Sequence, residues 1–162
     1  MSDATTAGAD FQLSRIDPAS TPGFQGDKAA GQAALKAGSA ELAELQEKLF
    51  AASRFGDGRS LLLVLQAMDT AGKGGIVDHV LGETNPQGVK AYAFKSPTDE
   101  EKQHDFLWRI RRQLPPAGYI GVFDRSHYED VLIHRVRGFS TPEVIEERYG
   151  LINEFERSKT PM

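Results

Sequence analysis

Lys73 is the residue most able to act on phosphate, because it stands in Ala67-Met68-Asp69-Thr70-Ala71-Gly72-Lys73-Gly74, one residue beyond the apolar run Leu61 to Leu65. A strand, a glycine-rich turn and a Gly-Lys pair opening a helix form the outline of the phosphate loop G-x-x-x-x-G-K-[ST]. The amides of Ala71, Gly72, Lys73, Gly74 and Gly75 would offer N–H groups and the positive end of a helix to an anion. Lys73 would add a full charge on a transferring phosphoryl group. Two positions depart from the pattern. Ala67 replaces the first glycine, and Gly74 replaces the Ser/Thr whose hydroxyl normally helps bind Mg²⁺. Asp69 lies inside the loop, where bare phosphate would repel it and phosphate-bound Mg²⁺ would attract it. It is therefore assigned to metal binding or to orienting the acceptor oxygen. The bland alternative is a tight strand-to-helix turn with a chance lysine.

A second acid, Asp124, follows the apolar run Tyr119 to Phe123. An acid at the end of a neighbouring strand is the usual metal-side partner of a phosphate loop. Taken alone, it reads as an ordinary helix cap. Arg125 beside it offers a planar, permanent charge to phosphate, while His127 and Tyr128 suit packing. Arg109 and Arg112 lie three residues apart on one helix face, where they line an anion path or are simply solvated. Trp108 suits the core better than a base-stacking platform. Between Lys102 and Arg137 seven Lys/Arg face four acids, within a chain of net charge −4. A basic stretch of this kind could meet a polyanion or be a solvated helix face.

These residues need elements to hold them. Residues 1–37, broken by Pro18, Pro22, Gly23, Gly26 and Gly31, read as an irregular arm, and residues 38–162 as the core. The apolar stripe Leu42, Leu45, Leu49 predicts a helix over 39–53. Leu61 to Leu65 reads as a strand buried on both faces, followed by a helix over 73–81 and a strand over 89–94. Thr98-Asp99-Glu100-Glu101 has the form of a capping box and predicts a helix over 99–113. A strand over 119–123 follows, then helices over 127–134 and from about 140 to 157, the latter with Pro142 early. Alternation of strand and helix argues for a parallel α/β sheet covered by helices, with ligands beyond the carboxyl ends of the strands.

With its motifs assembled, the sequence resembles the second family of polyphosphate kinases. The matching stretches are Leu65 to Gly75, Phe94-Lys95-Ser96-Pro97-Thr98, His104 to Arg109 and Phe123 to Leu132. The resemblance spans roughly residues 16–157. It implies a P-loop kinase fold of the thymidylate-kinase type, a three-layer sandwich. It also implies Mg²⁺-dependent phosphoryl transfer between inorganic polyphosphate and a nucleoside mono- or diphosphate, with AMP or ADP to ATP favoured. The family's loop aspartate and lysine fall on Asp69 and Lys73, and its strand-end aspartate and arginine on Asp124 and Arg125. Family members continue into a further strand and a basic lid, which this sequence lacks. A truncated, non-catalytic relic that binds nucleotide or polyphosphate is therefore the alternative, and a nucleotide kinase using ATP as donor is a third.

Composition narrows the remaining classes. There is no cysteine, which rules out disulfides and thiolate metal sites within these 162 residues. No apolar run is long enough to span a bilayer, and Met1 to Ala9 lacks the form of a signal peptide. The expectation is a cytoplasmic protein with no nucleic-acid or membrane partner. The oligomeric state stays open, a homo-oligomer included.

Overall fold

The computed structural model describes residues 11–17, 19–68 and 70–159. A short 3-10 turn, Leu13–Arg15, precedes helix α1, Lys28–Ser53. The helix thus starts at Lys28, not near Ser39, and the reading of 28–37 as irregular is corrected. Asp27 caps it by accepting from the Ala30 amide at 2.9 Å. Ala29, Ala30, Ala33, Ala34 and Ala37 supply helix propensity enough to carry the chain through Gly31 and Gly38. The part of the arm formed by residues 1–10 lies outside the described residues.

Strand β1, Leu61–Leu65, leads through the loop to helix α2, Lys73–Ile76, which widens into a π turn over Val77–Leu81. Strand β2, Val89–Ala93, helix α3, Trp108–Gln113, strand β3, Ile120–Asp124, helix α4, Glu129–Arg137, and helix α5, Pro142–Arg157, complete the order. All three strands run parallel in the order β1-β3-β2, with Leu65, Asp124 and Ala93 in register.

Side-chain alternation builds a core on each face of the sheet. Leu63, Leu65, Ile120 and Val122 pack with Leu49 of α1 and with Val77, Val80 and Leu81 after the loop. Leu62, Val64, Tyr92 and Phe123 pack on the other side with Ile110 of α3 and Phe155 of α5. This gives three layers. β3 is the strand buried throughout its apolar length. In β1 only Leu65 is fully buried and Leu61 is 54 % exposed, so the expectation of burial on both faces holds for β3 instead. The reason is position. β3 is the middle strand, and among the described residues β1 pairs on one side only.

The capping box forms as read: the Thr98 amide donates to Glu101 Oε2 at 2.8 Å and the Glu101 amide to Thr98 Oγ1 at 3.2 Å. The helix it begins does not continue. A single 3-10 turn, Glu101–Gln103, ends at extended His104. Asp105 then starts a new turn, its carboxylate accepting from the Leu107 amide and its carbonyl from Trp108. Such a local side-chain bond competes with helix continuation. α4 also begins later and ends later than expected, closed by Gly138 at φ 66°.

Candidate functional site

Both predicted clusters lie at the carboxyl ends of the strands. After β1 the chain passes Gln66, Ala67 and Met68. Thr70 (φ 66°) and Gly72 (φ 88°) are both left-handed and turn it into α2. A non-glycine residue in that region is uncommon and is held by its surroundings. Lys73 folds back over the loop, its Nζ donating to the carbonyls of Ala67 and Met68, each at 3.0 Å. Two of its three hydrogens are so engaged, and the charge sits at the mouth of the turn. The first amides of a helix lack partners one turn earlier, which leaves those of Lys73, Gly74 and Gly75 for an anion, whereas the Ala71 amide donates to the Met68 carbonyl at 3.3 Å and closes the turn. A Cβ at Gly74 would meet nothing within 4 Å. Glycine there is thus not demanded by the protein's own packing. Asp69 lies outside the described residues, and its predicted role is left as an expectation.

β3 delivers the second cluster. The Asp124 carbonyl accepts from the Phe94 amide, and the Arg125 amide donates to the Leu65 carbonyl, both at 3.0 Å. The turn after β3 is therefore fixed to both neighbouring strands. Arg125 is left-handed at φ 64°. Ser126 is fully buried. It donates to Gln66 Oε1 at 3.3 Å and accepts from the Tyr128 amide at 3.2 Å. Gln66 Nε2 donates to Glu129 Oε1 at 2.6 Å. Sequence reasoning missed Gln66, Ser126 and Glu129 as site residues; they were quoted only inside matching stretches.

Two clefts open here. One, of about 410 Å³, is lined by Lys95, Ser96, Arg109, Arg125, Asp130 and Arg137, among others. The second, of about 470 Å³, lies over Ala67 and Met68. Arg125, Glu129 and Ile133 line both. Arg109 is 8 % exposed and donates to the Lys95 carbonyl at 2.8 Å. It sits 3.6 Å from Glu101 Oε2 and over the Phe94 ring. Arg112 is not among the lining residues of either cleft. Its guanidinium stacks 4.7 Å over Trp108, whose other ring contact is His104 at 4.0 Å. Trp108 is only half-buried, so its expected core position is corrected: it carries an exposed ladder along α3.

Electrostatics set the character of the first cleft. Burial pushes the Asp130 carboxyl above the usual range, opposed chiefly by Arg109. Burial also lowers His134, helped by Arg148, whose Nη1 lies 2.9 Å from His134 Nδ1. His127 is fully buried and does pack, but it also pairs with Glu156 of α5 at 3.1 Å through Nε2. Tyr128 donates its hydroxyl to the same Glu156 oxygen, and burial pushes its own ionisation up to about 12.

The donor set can be tested against Mg²⁺. Asp124 Oδ1 is buried without a hydrogen-bond partner. A buried carboxylate oxygen left unpaired is costly unless something else meets it. Among the described residues no group of three or more acids or histidines could hold a metal. That combination fits a cation bound through one or two carboxylates and otherwise by phosphate oxygens, as Mg²⁺ commonly is. It does not fit a closed protein cage.

Comparison with known proteins agrees with this geometry. The family model described as "Polyphosphate kinase 2 (PPK2)" matches residues 25–161. An AMP/ADP-polyphosphate phosphotransferase of Meiothermus ruber is 43% identical over 147 residues, 91% of this chain and 54% of that protein. An ADP-polyphosphate phosphotransferase of Rhodopseudomonas palustris is 50% identical over 105 residues, 65% of this chain and 34% of that protein. The crystal structure of polyphosphate kinase 2 from Arthrobacter aurescens TC1 superposes with a TM-score of 0.90 at 63% identity, covering 93% of this chain and 53% of that one. The chain spans about half the length, or less, of the relatives it matches.

Proposed function

The chain belongs to the polyphosphate kinase 2 family, and on that premise we propose that it serves phosphoryl transfer between inorganic polyphosphate and AMP or ADP, with ATP formation favoured. One observation supports this above others. Arg125 lines two adjoining clefts, one over Gln66, Ala67 and Met68 at the start of the phosphate loop and one walled by Lys95, Arg109 and Arg137. A reaction joining two phosphate-bearing substrates needs two anion sites meeting at one cation.

In this reading the amides of Gly72 to Gly75 and the Lys73 ammonium hold the terminal phosphates of one substrate. Lys95, Arg109 and Arg137 draw in the other. Arg125 neutralises charge that builds on the phosphoryl group between them, which is where such catalysis is decided. Mg²⁺, held by Asp124 and Asp69, would supply further charge neutralisation on the phosphate oxygens. Arg112 acts at the approach, as part of the exposed basic stretch. The protein works in the cytoplasm, and the absence among the described residues of any helix long and apolar enough to cross a membrane is compatible with that.

The test is luminescent detection of ATP from purified chain, polyphosphate, ADP and Mg²⁺, with Lys73→Ala as control. We expect turnover in the wild type and a loss of at least about a hundredfold in the variant. A folded wild type without turnover would overturn the proposal. Calorimetric binding of polyphosphate in that case would select the non-catalytic alternative. Competition between ATP and polyphosphate as donors separates the third possibility.

A further inference from the structure

We propose that Gln66 is a positioning residue that locks the Asp124–Arg125 turn against the phosphate loop. The proposal rests on the phosphoryl-transfer reading for its consequence in turnover, though not for the coupling itself. Gln66 is the first residue after β1 and stands at the root of the loop. Its amide head is engaged at both ends. Nε2 donates to Glu129 Oε1 at 2.6 Å and Oε1 accepts from Ser126 Oγ at 3.3 Å. Those partners bracket the turn: Ser126 directly follows Arg125, and Glu129 opens α4. One residue earlier, the Leu65 carbonyl takes the Arg125 amide. Three bonds therefore run from two consecutive residues at the root of one loop to the other.

Arg125 needs such a frame. It is left-handed without being glycine, a state that persists only where the surroundings over-determine it. Glutamine is suited to the task because its head carries a donor end and an acceptor end. Glutamate would set two carboxylates against each other at Glu129. Asparagine is one methylene short of both partners. Gln66 also lines the second cleft, but with both ends of its amide engaged by protein its positioning role runs through Ser126 and Glu129.

The polarity of the pair can be reversed, which gives the test. Hydrogen–deuterium exchange would be compared in wild type, Gln66→Glu, Glu129→Gln and the double variant, reading peptides over 66–75 and 124–131, with α1 as internal control. In Gln66→Glu we expect exchange in both loop peptides to rise about tenfold, as local opening does when a charge-assisted bond is lost. α1 stays unchanged. The double variant, in which residue 129 now donates to residue 66, returns to the wild-type pattern. ATP formation should follow: kcat falls about tenfold or more with KM for ADP little changed, since misplacement affects the reacting geometry, and the double variant recovers it. Gln66→Asn, which keeps the head chemistry, covers the case in which Gln66→Glu fails to fold; it should loosen the same two peptides. Unchanged exchange, a rise that includes α1, or no recovery in the double variant overturns the proposal. Absence of turnover in the wild type overturns the functional reading alone, because the exchange result stands without it.

Discussion

Gly118→Ala is expected to destabilise the protein more than Gly138→Ala, although both glycines are left-handed, at φ 84° and 66°. An alanine forced into that region costs about 1–2 kcal/mol at either site. At Gly138 that is the whole effect, because a Cβ there meets nothing within 4 Å. At Gly118 it would stand 2.5 Å from Ser53 Oγ, 2.7 Å from Ser53 Cβ and 3.2 Å from Phe50 Cα. The hydroxyl could rotate away only by giving up its 2.7 Å bond to the Phe50 carbonyl, and Ser53 Cβ is fixed by the backbone of α1. Overpacking of this kind adds about 1–3 kcal/mol, so Gly118→Ala totals about 2–5 kcal/mol. Urea titration followed by circular dichroism reads the difference as a lower midpoint at unchanged slope. Equal midpoints for the two variants would refute the reasoning, because only the contact with α1 separates them. The turn also matters to the site: the Gly118 amide donates to the Arg59 carbonyl and the Leu61 amide to Tyr119, which sets β3 beside β1 at its start.

Gly74→Ala should leave the fold intact and raise the melting temperature by up to about 3 °C, since an unhindered glycine in a helix gives up as much as about 1 kcal/mol to alanine; a fall in melting temperature would show that the open space is filled. Arg109→Ala removes the cation beside Glu101, Phe94 and Asp130, and should cost about 3 kcal/mol by calorimetry while driving the Asp130 carboxyl still higher by NMR titration. His134 has a folded-state affinity for protons below its ordinary one, so the folded state binds fewer protons than the unfolded state just below pH 6.5. Stability should therefore fall as pH drops through and below that value. His134→Gln should flatten this part of the urea midpoint against pH curve, and an unaltered slope would exclude His134 as its source.

The strands and the phosphate loop were legible because their signals are local. Leu61 to Leu65 and Tyr119 to Phe123 are short apolar runs bounded by turns, and Gly72-Lys73 ends the loop that follows the first. Helix boundaries were less legible where two local preferences compete. Gly31 and Gly38 masked the alanines that carry α1 back to Lys28, and Asp105 broke a helix whose capping box was otherwise correct. Arg109 and Arg112 share a spacing that suggests one role, yet one is buried beneath the cleft wall and the other stacks on Trp108. What the sequence could not show is Gln66 meeting partners 60 and 63 positions away. Pairing at that separation depends on strand order, and nothing in the residue types announces it. The left-handed Arg125 likewise carries no glycine to mark it.

The strand order β1-β3-β2 also dictates when the molecule can come into being. β1 and β2 share no edge, and both pair with β3, which is the last of the three to be synthesised. Among the described residues no two strands can pair until residues 120–124 have been made, however long the first strand has waited. Non-local parallel pairing of this kind folds slowly and leaves apolar segments open to association meanwhile. Asp124 is the final residue of that keystone strand. The step that pairs these three strands is therefore the step that sets Asp124 and Arg125 beside the loop after β1, and a nascent chain cannot hold the three paired without also holding both halves of the proposed anion site.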